Sequence, residues 1–194
     1  DTLVRNHGYT KFAFADALKD AVATIFTWPR GLLEGDSNAS RAFRERVDPW
    51  WSMKFGYEVT PRLILKKFGT EACREGIADN IWIAALEKRM QGYEDVVISD
   101  VRFPNEIQMI RNLGGKVYRV VRGPQEDWST IRYESQEDLK RFMTLYHHDI
   151  HPSEWAWFAT ELDHVIENDG SIEELYKQLD DLLISLAANP PVSK

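Results

Sequence analysis

Short runs of β-branched and apolar residues alternate along the chain with longer segments in which apolar residues recur at helical spacing. This alternation predicts an α/β fold on a mainly parallel sheet, because parallel strands are joined by crossover helices. Four strands are expected, and the apolar pattern of the second predicts burial on both of its faces. The predicted strands are Lys11–Ala15, Val96–Ser99, Lys116–Val121 and His164–Ile166.

Capping residues indicate where the helices begin. Thr60 followed by Pro61 is typical of a helix start, and Gly69 is expected to interrupt that helix. The segments Pro29–Asn38 and Asp48–Val59 are predicted to be a loop and a connector. We expect helices that begin near Asp16, Ala39, Thr60, Asp79, Pro104 and Ser171, with a weaker helical signal between Glu134 and Tyr146.

The pattern fits a single domain over residues 1–194, a length that can bury a substantial core. A helical region of about residues 27–95 separates the first predicted strand from the second. About residues 123–160 are polar and charged, and they are expected to leave the core and return to it.

Composition narrows the class of protein. A hydrophobic content of 43% and a charged content of 28% are typical of a folded protein. The net charge of −7 argues against a nucleic-acid-binding protein, because such proteins usually carry a basic face. Cys73 is the single cysteine and is expected to be a buried structural thiol, which favours a cytoplasmic location. No apolar run approaches the length of a membrane span.

Residues 96–106 carry the most specific chemistry in the sequence. Asp100 follows an apolar strand, and Arg102 follows two residues later. Ligands of open α/β sheets bind at the carboxyl ends of strands, where an acid can hold a metal ion and an arginine can hold phosphate. Asp100 would alternatively cap the next helix, but Pro104 opens that helix and puts Phe103 at the cap. Asp100 and Arg102 are therefore predicted to serve phosphate chemistry.

For other candidates the residue pattern leaves a structural and a functional role open. For Lys19 the helix pattern by itself favours a solvated lysine. Gly69 is a helix break or a point of close substrate approach, with Thr70 beside it as a hydrogen-bonding group. Trp82 is a core residue or the wall of a pocket. The histidines within residues 147–151 lack the spacing of a zinc motif and are expected to lie in a solvated loop.

A set of short motifs is spread over most of the chain. They are Phe14–Asp20, Thr60–Arg62, Phe68–Glu71, Asp79–Trp82, Ser99–Glu106, Val120–Arg122 and Asn168–Gly170. In this order the set resembles the bacteriophage deoxynucleoside monophosphate kinases, a branch of the P-loop nucleotide kinases. The resemblance implies a three-layer P-loop kinase fold, with a helical acceptor-binding insertion at about 27–95 and a lid at about 123–160. It also implies transfer of the γ-phosphoryl group of ATP, with Mg²⁺, to a deoxynucleoside 5′-monophosphate.

The resemblance also implies roles for individual residues. The residues implied to be catalytic are Arg41, Asp100 and Arg102. Those implied to bind the acceptor nucleotide are Leu18, Lys19, Arg62, Gly69, Thr70, Trp82 and Glu106. Those implied to bind the donor nucleotide are Asp1, Thr2, Arg122 and Asn168, with the Thr2 hydroxyl near Mg²⁺.

The family pattern places a strand and a glycine-rich loop immediately before Asp1, so we expect the native protein to extend further at its N-terminus. Two alternatives remain open. One is another P-loop small-molecule kinase, such as a dephospho-coenzyme A kinase, and the other is a loop-less, non-catalytic nucleotide-binding protein. The expected partners are small-molecule nucleotides rather than nucleic acid or membranes. The protein is expected to be a monomer or homodimer in the cytoplasm, which is the host cytoplasm if a phage encodes it.

Overall fold

The computed structural model describes residues 2–125 and 131–188, with side chains up to residue 186. The chain divides into two compact units, one of residues 3–100 and one of Thr2 with the chain from Val101 onward. Helices make up 56% of the structure, and the strands form short parallel pairs. This mixed α/β architecture confirms the predicted fold class.

The first unit is a parallel strand pair with a set of helices. In chain order its elements are α1 (Thr2–His7, whose first residue groups with the second unit), β1 (Thr10–Phe12), α2 (Ala15–Phe26), a 3₁₀ turn (Arg30–Leu33), α3 (Asn38–Glu45), α4 (Pro49–Phe55), α5 (Pro61–Lys67), a π-helix (Phe68–Glu75), α6 (Ile81–Met90) and β2 (Val96–Ile98). The order agrees with the prediction of a helical region between the first two strands.

Strands β1 and β2 pair in parallel over three residues each, from Thr10 with Val96 to Phe12 with Ile98. Both predicted strands are confirmed, although they are shorter than expected. The prediction that the second strand is buried on both faces was wrong, because all of its residues are only half-buried. In the described part of the chain β2 pairs with β1 alone, so its apolar side chains are covered incompletely.

Aromatic packing forms the core of the helical region. The rings of Phe26 and Trp28 stack with centroids 4.6 Å apart, and Trp51 lies 4.7 Å from Phe26. Burial of large aromatic and aliphatic side chains provides most of the stabilisation here. The buried residues of this core are Val22, Phe26, Trp28, Leu33, Val59, Ile64 and Leu65.

Helix α4 lies in the segment that was predicted to be a connector, so that prediction was wrong. Asp48 caps the helix, since its Oδ1 accepts hydrogen bonds from the backbone amides of Trp50 at 3.0 Å and Trp51 at 3.1 Å. Pro49 occupies the first helical turn. This is the same cap-and-proline signal that correctly predicted the start of α5. The Asp48 Oδ2 atom also accepts from Trp28 Nε1 at 2.7 Å, which joins the cap to the aromatic core.

Other element boundaries also differ from prediction. Asp16 lies in the first turn of α2 and not at its cap, which is Phe14. Asn80, not Asp79, precedes α6. Gly69 does not end the helical path, because the chain continues from α5 directly into the π-helix. The predicted loop after Pro29 contains a 3₁₀ turn.

The second unit contains α7 (Pro104–Asn112), β3 (Tyr118–Val121), α8 (Gln136–Tyr146), a 3₁₀ turn (Pro152–Glu154), β4 (His164–Glu167) and α9 (Ile172–Ala188). Strands β3 and β4 pair in parallel, from Tyr118 with His164 to Val121 with Glu167. The capping box of α9 is confirmed by mutual bonds between Ser171 and Glu174. Among the helices of the described ranges, none combines the length and the apolarity that crossing a membrane requires.

The polar segment after β3 has an apolar core of its own. Leu139 and Met143 of α8 are fully buried, and they pack with Trp155 and Ala156 after the second 3₁₀ turn. The weak helical signal between Glu134 and Tyr146 is therefore confirmed as α8. Partly buried Phe103, which precedes α7, packs on the same cluster.

The Asp48→Asn variant tests the cap of α4. Burial opposes ionisation of the Asp48 carboxyl, but hydrogen bonds from Trp28, Trp51 and Trp50 outweigh that effect and lower its pKa below its ordinary value. A lowered folded-state pKa contributes stability above the unfolded-state pKa, and this contribution is lost as the pH falls through the folded-state value. We expect Asp48→Asn to reduce the free energy of unfolding by about 1–3 kcal/mol at neutral pH.

Urea unfolding between pH 2.5 and pH 7 measures this difference. The gap between wild type and variant should shrink below about pH 4. Asp95→Asn is the matched control, because the Asp95 side chain is exposed and makes no bond among the described residues. A gap that is constant across this pH range would contradict the assignment.

Candidate functional site

The carboxylate of Asp100 connects the end of β2 to the start of α2. Its Oδ1 accepts a hydrogen bond from the backbone amide of Phe14 at 2.9 Å, and its Oδ2 accepts one from Ala15 at 3.0 Å. The preceding amide, that of Ala13, donates to Asp16 Oδ2 at 3.0 Å. Amides at a helix start have no intrahelical partner, so these two carboxylates satisfy three consecutive donors. The predicted role of Asp100 in phosphate chemistry stays a prediction, and the structure gives this side chain a structural task.

Lys19 lies one turn further along α2 and is held by an ion pair. Its Nζ atom lies 2.6 Å from Glu34 Oε2, and its side chain is only 14% exposed. The other oxygen of Glu34 accepts from Arg30 Nη1. Lys19 is therefore not the freely solvated lysine that the helix pattern allowed, because a carboxylate fixes its ammonium group.

Arg30 is the centre of this charge cluster. Its Nε donates to Asp20 Oδ1 at 2.6 Å, and its Nη2 donates to Asp16 Oδ1 at 3.1 Å. The second oxygen of Asp20 accepts from Arg89 of α6 at 3.1 Å. The cluster thus contains three cations and three carboxylates, and it ties α2 to the 3₁₀ turn and to α6. We call these six residues the α2 charge network: Asp16, Lys19, Asp20, Arg30, Glu34 and Arg89.

The network lowers the pKa of two of its carboxyl groups, those of Glu34 and Asp20. Burial raises the pKa of Glu34, but hydrogen bonds from Lys19 and Arg30 outweigh it and leave that pKa below its ordinary value. The same balance lowers the pKa of Asp20, with Arg30 and Arg89 as the stabilising cations. The ion pairs therefore favour the ionised forms of Glu34 and Asp20.

Leu18, Gly69 and Trp82, all predicted to bind the acceptor, are packed together. A Cβ atom on Gly69 would lie 3.0 Å from Leu18 Cδ2, so this contact favours glycine. The Nε1 of buried Trp82 donates to the carbonyl of Gly69 at 3.0 Å. The Leu18 contact therefore leaves little room for a side chain at position 69. These contacts also fix the π-helix, an element that often occurs at functional sites, against α2 and α6.

Thr70 follows Gly69 in the π-helix. Within the described part of the chain its side chain makes no hydrogen bond. Arg62 forms an exposed ion pair with Glu45 at the end of α3. Arg41 donates to Asn38 Oδ1 at 2.8 Å in the first turn of α3. The structure therefore joins Lys19 to the charge network, whereas Arg41 and Arg62 make separate, exposed contacts on α3 and α5.

Glu106 fixes the backbone around Arg102 in the second unit. The Glu106 side chain is only 2% exposed. Its Oε2 atom accepts hydrogen bonds from the backbone amides of Arg102 at 2.8 Å and Phe103 at 3.1 Å. The guanidinium of Arg102 is 51% exposed and donates from Nη1 to Glu154 Oε1 at 2.6 Å. Phe103 anchors the same turn in the apolar cluster of α8. The backbone of Arg102 is thus fixed, whereas its charged group faces solvent with a single carboxylate partner among the described residues.

The donor-binding candidates have fewer contacts. Thr2 is buried at the start of α1, and Asp1 lies outside the described residues. The amide of Asn168 donates to the carbonyl of Val121 at 2.8 Å, so the turn after β4 continues the strand pairing. In the described ranges, Arg122 and the Asn168 side chain make no hydrogen bond or ion pair.

Sequence reasoning missed the anionic partners of the candidate cations. Glu34, Asp16 and Asp20 were not identified as partners of the cations, although Arg30 and Glu34 have the spacing of a local ion pair. No local pattern connects Asp20 with Arg89, which is 69 residues away. Burial of Cys73 is confirmed, and burial raises the pKa of its thiol. Across residues 2–125 and 131–188, no group of three acidic, histidine or cysteine side chains is arranged to hold a metal ion.

Comparison with known proteins identifies two viral relatives that are both named as kinases of deoxynucleoside monophosphates. A protein of Acanthamoeba polyphaga mimivirus, provisionally named a deoxynucleotide monophosphate kinase, is 30% identical over 194 residues, which cover 91% of this chain and 84% of the relative. The deoxynucleoside-5′-monophosphate kinase of Escherichia phage T5 is 42% identical over 55 residues, or 27% of this chain and 22% of that protein. No family model matches the chain.

The Arg30→Lys variant tests the α2 charge network. Lysine keeps the charge, but its ammonium lacks the planar fork that reaches three carboxylates from different nitrogen atoms. We expect a loss of about 1 kcal/mol in the free energy of unfolding, the upper end for partly exposed ion pairs. Urea unfolding at low and high salt measures this loss, which should decrease in about 1 M NaCl because of screening.

Arg46→Lys is the matched control for this measurement, because Arg46 is an exposed arginine of the same unit. It should leave the free energy of unfolding within about 0.5 kcal/mol of wild type. Equal effects of the two substitutions would show that the multiple bonds of Arg30 do not stabilise the fold.

Proposed function

Since this chain belongs to the deoxynucleotide monophosphate kinase family, we propose that it transfers the γ-phosphoryl group of ATP to a deoxynucleoside 5′-monophosphate and forms the diphosphate. The observation that carries the proposal is the similarity to the mimivirus protein along 91% of the chain. Lys19 and Arg102, which we propose to bind phosphate, belong to the motifs Phe14–Asp20 and Ser99–Glu106.

The first unit supplies the acceptor side in this proposal. Leu18 and Lys19 on α2, Gly69 and Thr70 on the π-helix and Trp82 on α6 come from elements that pack against one another. Trp82 and Leu18 form the apolar side, and the Thr70 hydroxyl provides a group for the sugar or base. Lys19 offers an ammonium group whose charge is already positioned by Glu34.

Exposed arginines complete the binding of phosphate. Arg41 and Arg62 have planar guanidinium groups at the surface of α3 and α5. A single guanidinium group can donate two parallel hydrogen bonds to two oxygens of one phosphate. Arg41 donates to the neutral side chain of Asn38, and Arg62 pairs with the exposed carboxylate of Glu45. Exposed ion pairs of this type are weak, so a dianionic phosphate can replace the carboxylate.

Arg102 stabilises charge on the transferred phosphoryl group. Phosphoryl transfer needs little covalent chemistry from the protein, because positioning and charge neutralisation provide most of the rate enhancement. Glu106 holds the backbone of Arg102, and Glu154 accepts a hydrogen bond from its guanidinium. Glu154 belongs to the segment proposed as the lid, so Arg102 and the lid are linked by this ion pair.

The donor side consists of ATP with Mg²⁺, which neutralises phosphate charge when it is bound. Asp1, Thr2, Arg122 and Asn168 are the residues proposed to contact the donor. Thr2 has the small hydroxyl side chain that Mg²⁺ accepts as an oxygen ligand, and it begins a helix as the last residue of a phosphate-binding loop does.

An ATP-dependent assay with the four common deoxynucleoside monophosphates tests the proposal. In the full-length protein with Mg²⁺, we expect at least one of them to be converted to its diphosphate with matching formation of ADP. Separation of the nucleotides by chromatography measures both products directly. Phosphorylation of dephospho-coenzyme A instead, or nucleotide binding without turnover, would contradict the proposed function.

Arg102→Ala should reduce turnover by about 10²-fold, the usual scale when one preorganised group that stabilises transition-state charge is removed. The same chromatographic assay at saturating nucleotide measures it. Lys88→Ala removes an exposed cation without a described bond and should leave turnover unchanged. Wild-type turnover in Arg102→Ala would remove Arg102 from the catalytic group while leaving the kinase assignment in place.

A further inference from the structure

We propose that Asp100 is a positioning residue of the acceptor site, which acts by fixing the first turn of α2 rather than by contacting Mg²⁺ or the sugar. The inference rests on the proposed function, because α2 carries Leu18 and Lys19. It replaces the direct chemical role that the sequence indicated for an acid at the end of a strand.

The hydrogen bonds of Asp100 support this assignment. Each oxygen of the carboxylate accepts from a different backbone amide, Phe14 at 2.9 Å and Ala15 at 3.0 Å. Phe14 is the residue at the N-cap of α2, and its side chain has no oxygen to accept those amides. Asp100, 85 residues from Ala15 in the chain, therefore supplies the cap that the local sequence lacks.

A fixed first turn determines where Lys19 lies. Lys19 is four residues after Ala15, so it follows directly on the turn that Asp100 holds. Beyond that turn, Glu34 holds the Lys19 ammonium at 2.6 Å, and Leu18 packs where a Cβ atom on Gly69 would lie 3.0 Å away. Loss of the Asp100 bonds would let the start of α2 move and would displace both acceptor contacts together.

Direct contact of Asp100 with Mg²⁺ or the deoxyribose would change different kinetic properties from a positioning role. A carboxylate that binds Mg²⁺ or the deoxyribose must present an oxygen to that partner, and its loss changes the metal requirement or the chemical step. A positioning residue instead changes acceptor binding, and it leaves the use of Mg²⁺ and ATP unchanged. Kinetic constants and backbone exchange together separate these two roles.

The first variant is Asp100→Asn in the full-length protein. The amide keeps one acceptor, but its NH₂ group faces a backbone N–H, so one of the two bonds is lost. We expect the KM for the deoxynucleoside monophosphate to rise about tenfold, because small misplacements of a binding group have effects of this size or larger. The KM for ATP and the dependence of rate on Mg²⁺ concentration should not change. Hydrogen exchange measured by mass spectrometry should become faster in the peptide of residues 13–20.

Two further variants make the result decisive. Asp95→Asn makes the same chemical change just before the other end of β2, where the side chain is exposed, and should leave every readout at its wild-type value. Asp100→Glu keeps the charge, but its longer side chain does not place both oxygens on the same two amides. The positioning role predicts that Glu fails to restore the acceptor KM, whereas a direct charge role predicts substantial restoration.

The outcomes separate this inference from the proposed function. A shifted Mg²⁺ dependence, or a lower turnover with unchanged acceptor KM and normal exchange at residues 13–20, would overturn the positioning role. If the wild type phosphorylates no deoxynucleoside monophosphate, the proposed function fails. The exchange measurement then still tests whether Asp100 holds the start of α2.

Discussion

Two strand-to-helix junctions in this protein depend on carboxylates that accept backbone amides. At the start of α2, Asp100 accepts the amides of Phe14 and Ala15, and before α7 Glu106 accepts those of Arg102 and Phe103. Amides at such junctions have left the strand ladder and have not entered the helical one, so burial without a partner would be costly. The charge of each carboxylate also matches the positive end of the helix that it approaches.

The two carboxylates have different consequences for the proposed chemistry. Asp100 connects elements that are far apart in sequence, so it fixes α2 relative to β2 within the first unit. Glu106 acts locally and leaves the guanidinium of Arg102 exposed beside Glu154. The α2 charge network adds to this order, because Arg30 brings three carboxylates together and one of them holds Lys19. Positioning of cations before substrate arrives lowers the reorganisation that phosphoryl transfer requires.

Local signals predicted much of the fold. Four strands and the helices between them followed from periodicity, and caps such as Thr60 and the Ser171 box were located correctly. The same type of signal at Asp48 and Pro49 was not applied, and α4 was therefore missed. The π-helix was not predicted, because the glycine at position 69 indicated a helix break, whereas the chain continues there in helical form with Leu18 and Trp82 in contact with Gly69. Of the candidate site, the cations were found and their carboxylate partners were not.

The sequence by itself determined the class of fold, the order of its elements and the residues able to bind phosphate, because these depend on periodicity, capping and side-chain chemistry. Only the tertiary structure decided which groups meet. In the sequence Asp100 is followed by a proline-opened helix and is predicted to bind ligand, yet parallel pairing of β2 with β1 brings it to amides 86 and 85 residues away. Local patterns do not encode such contacts, since the register of two distant strands is set by packing of the whole unit.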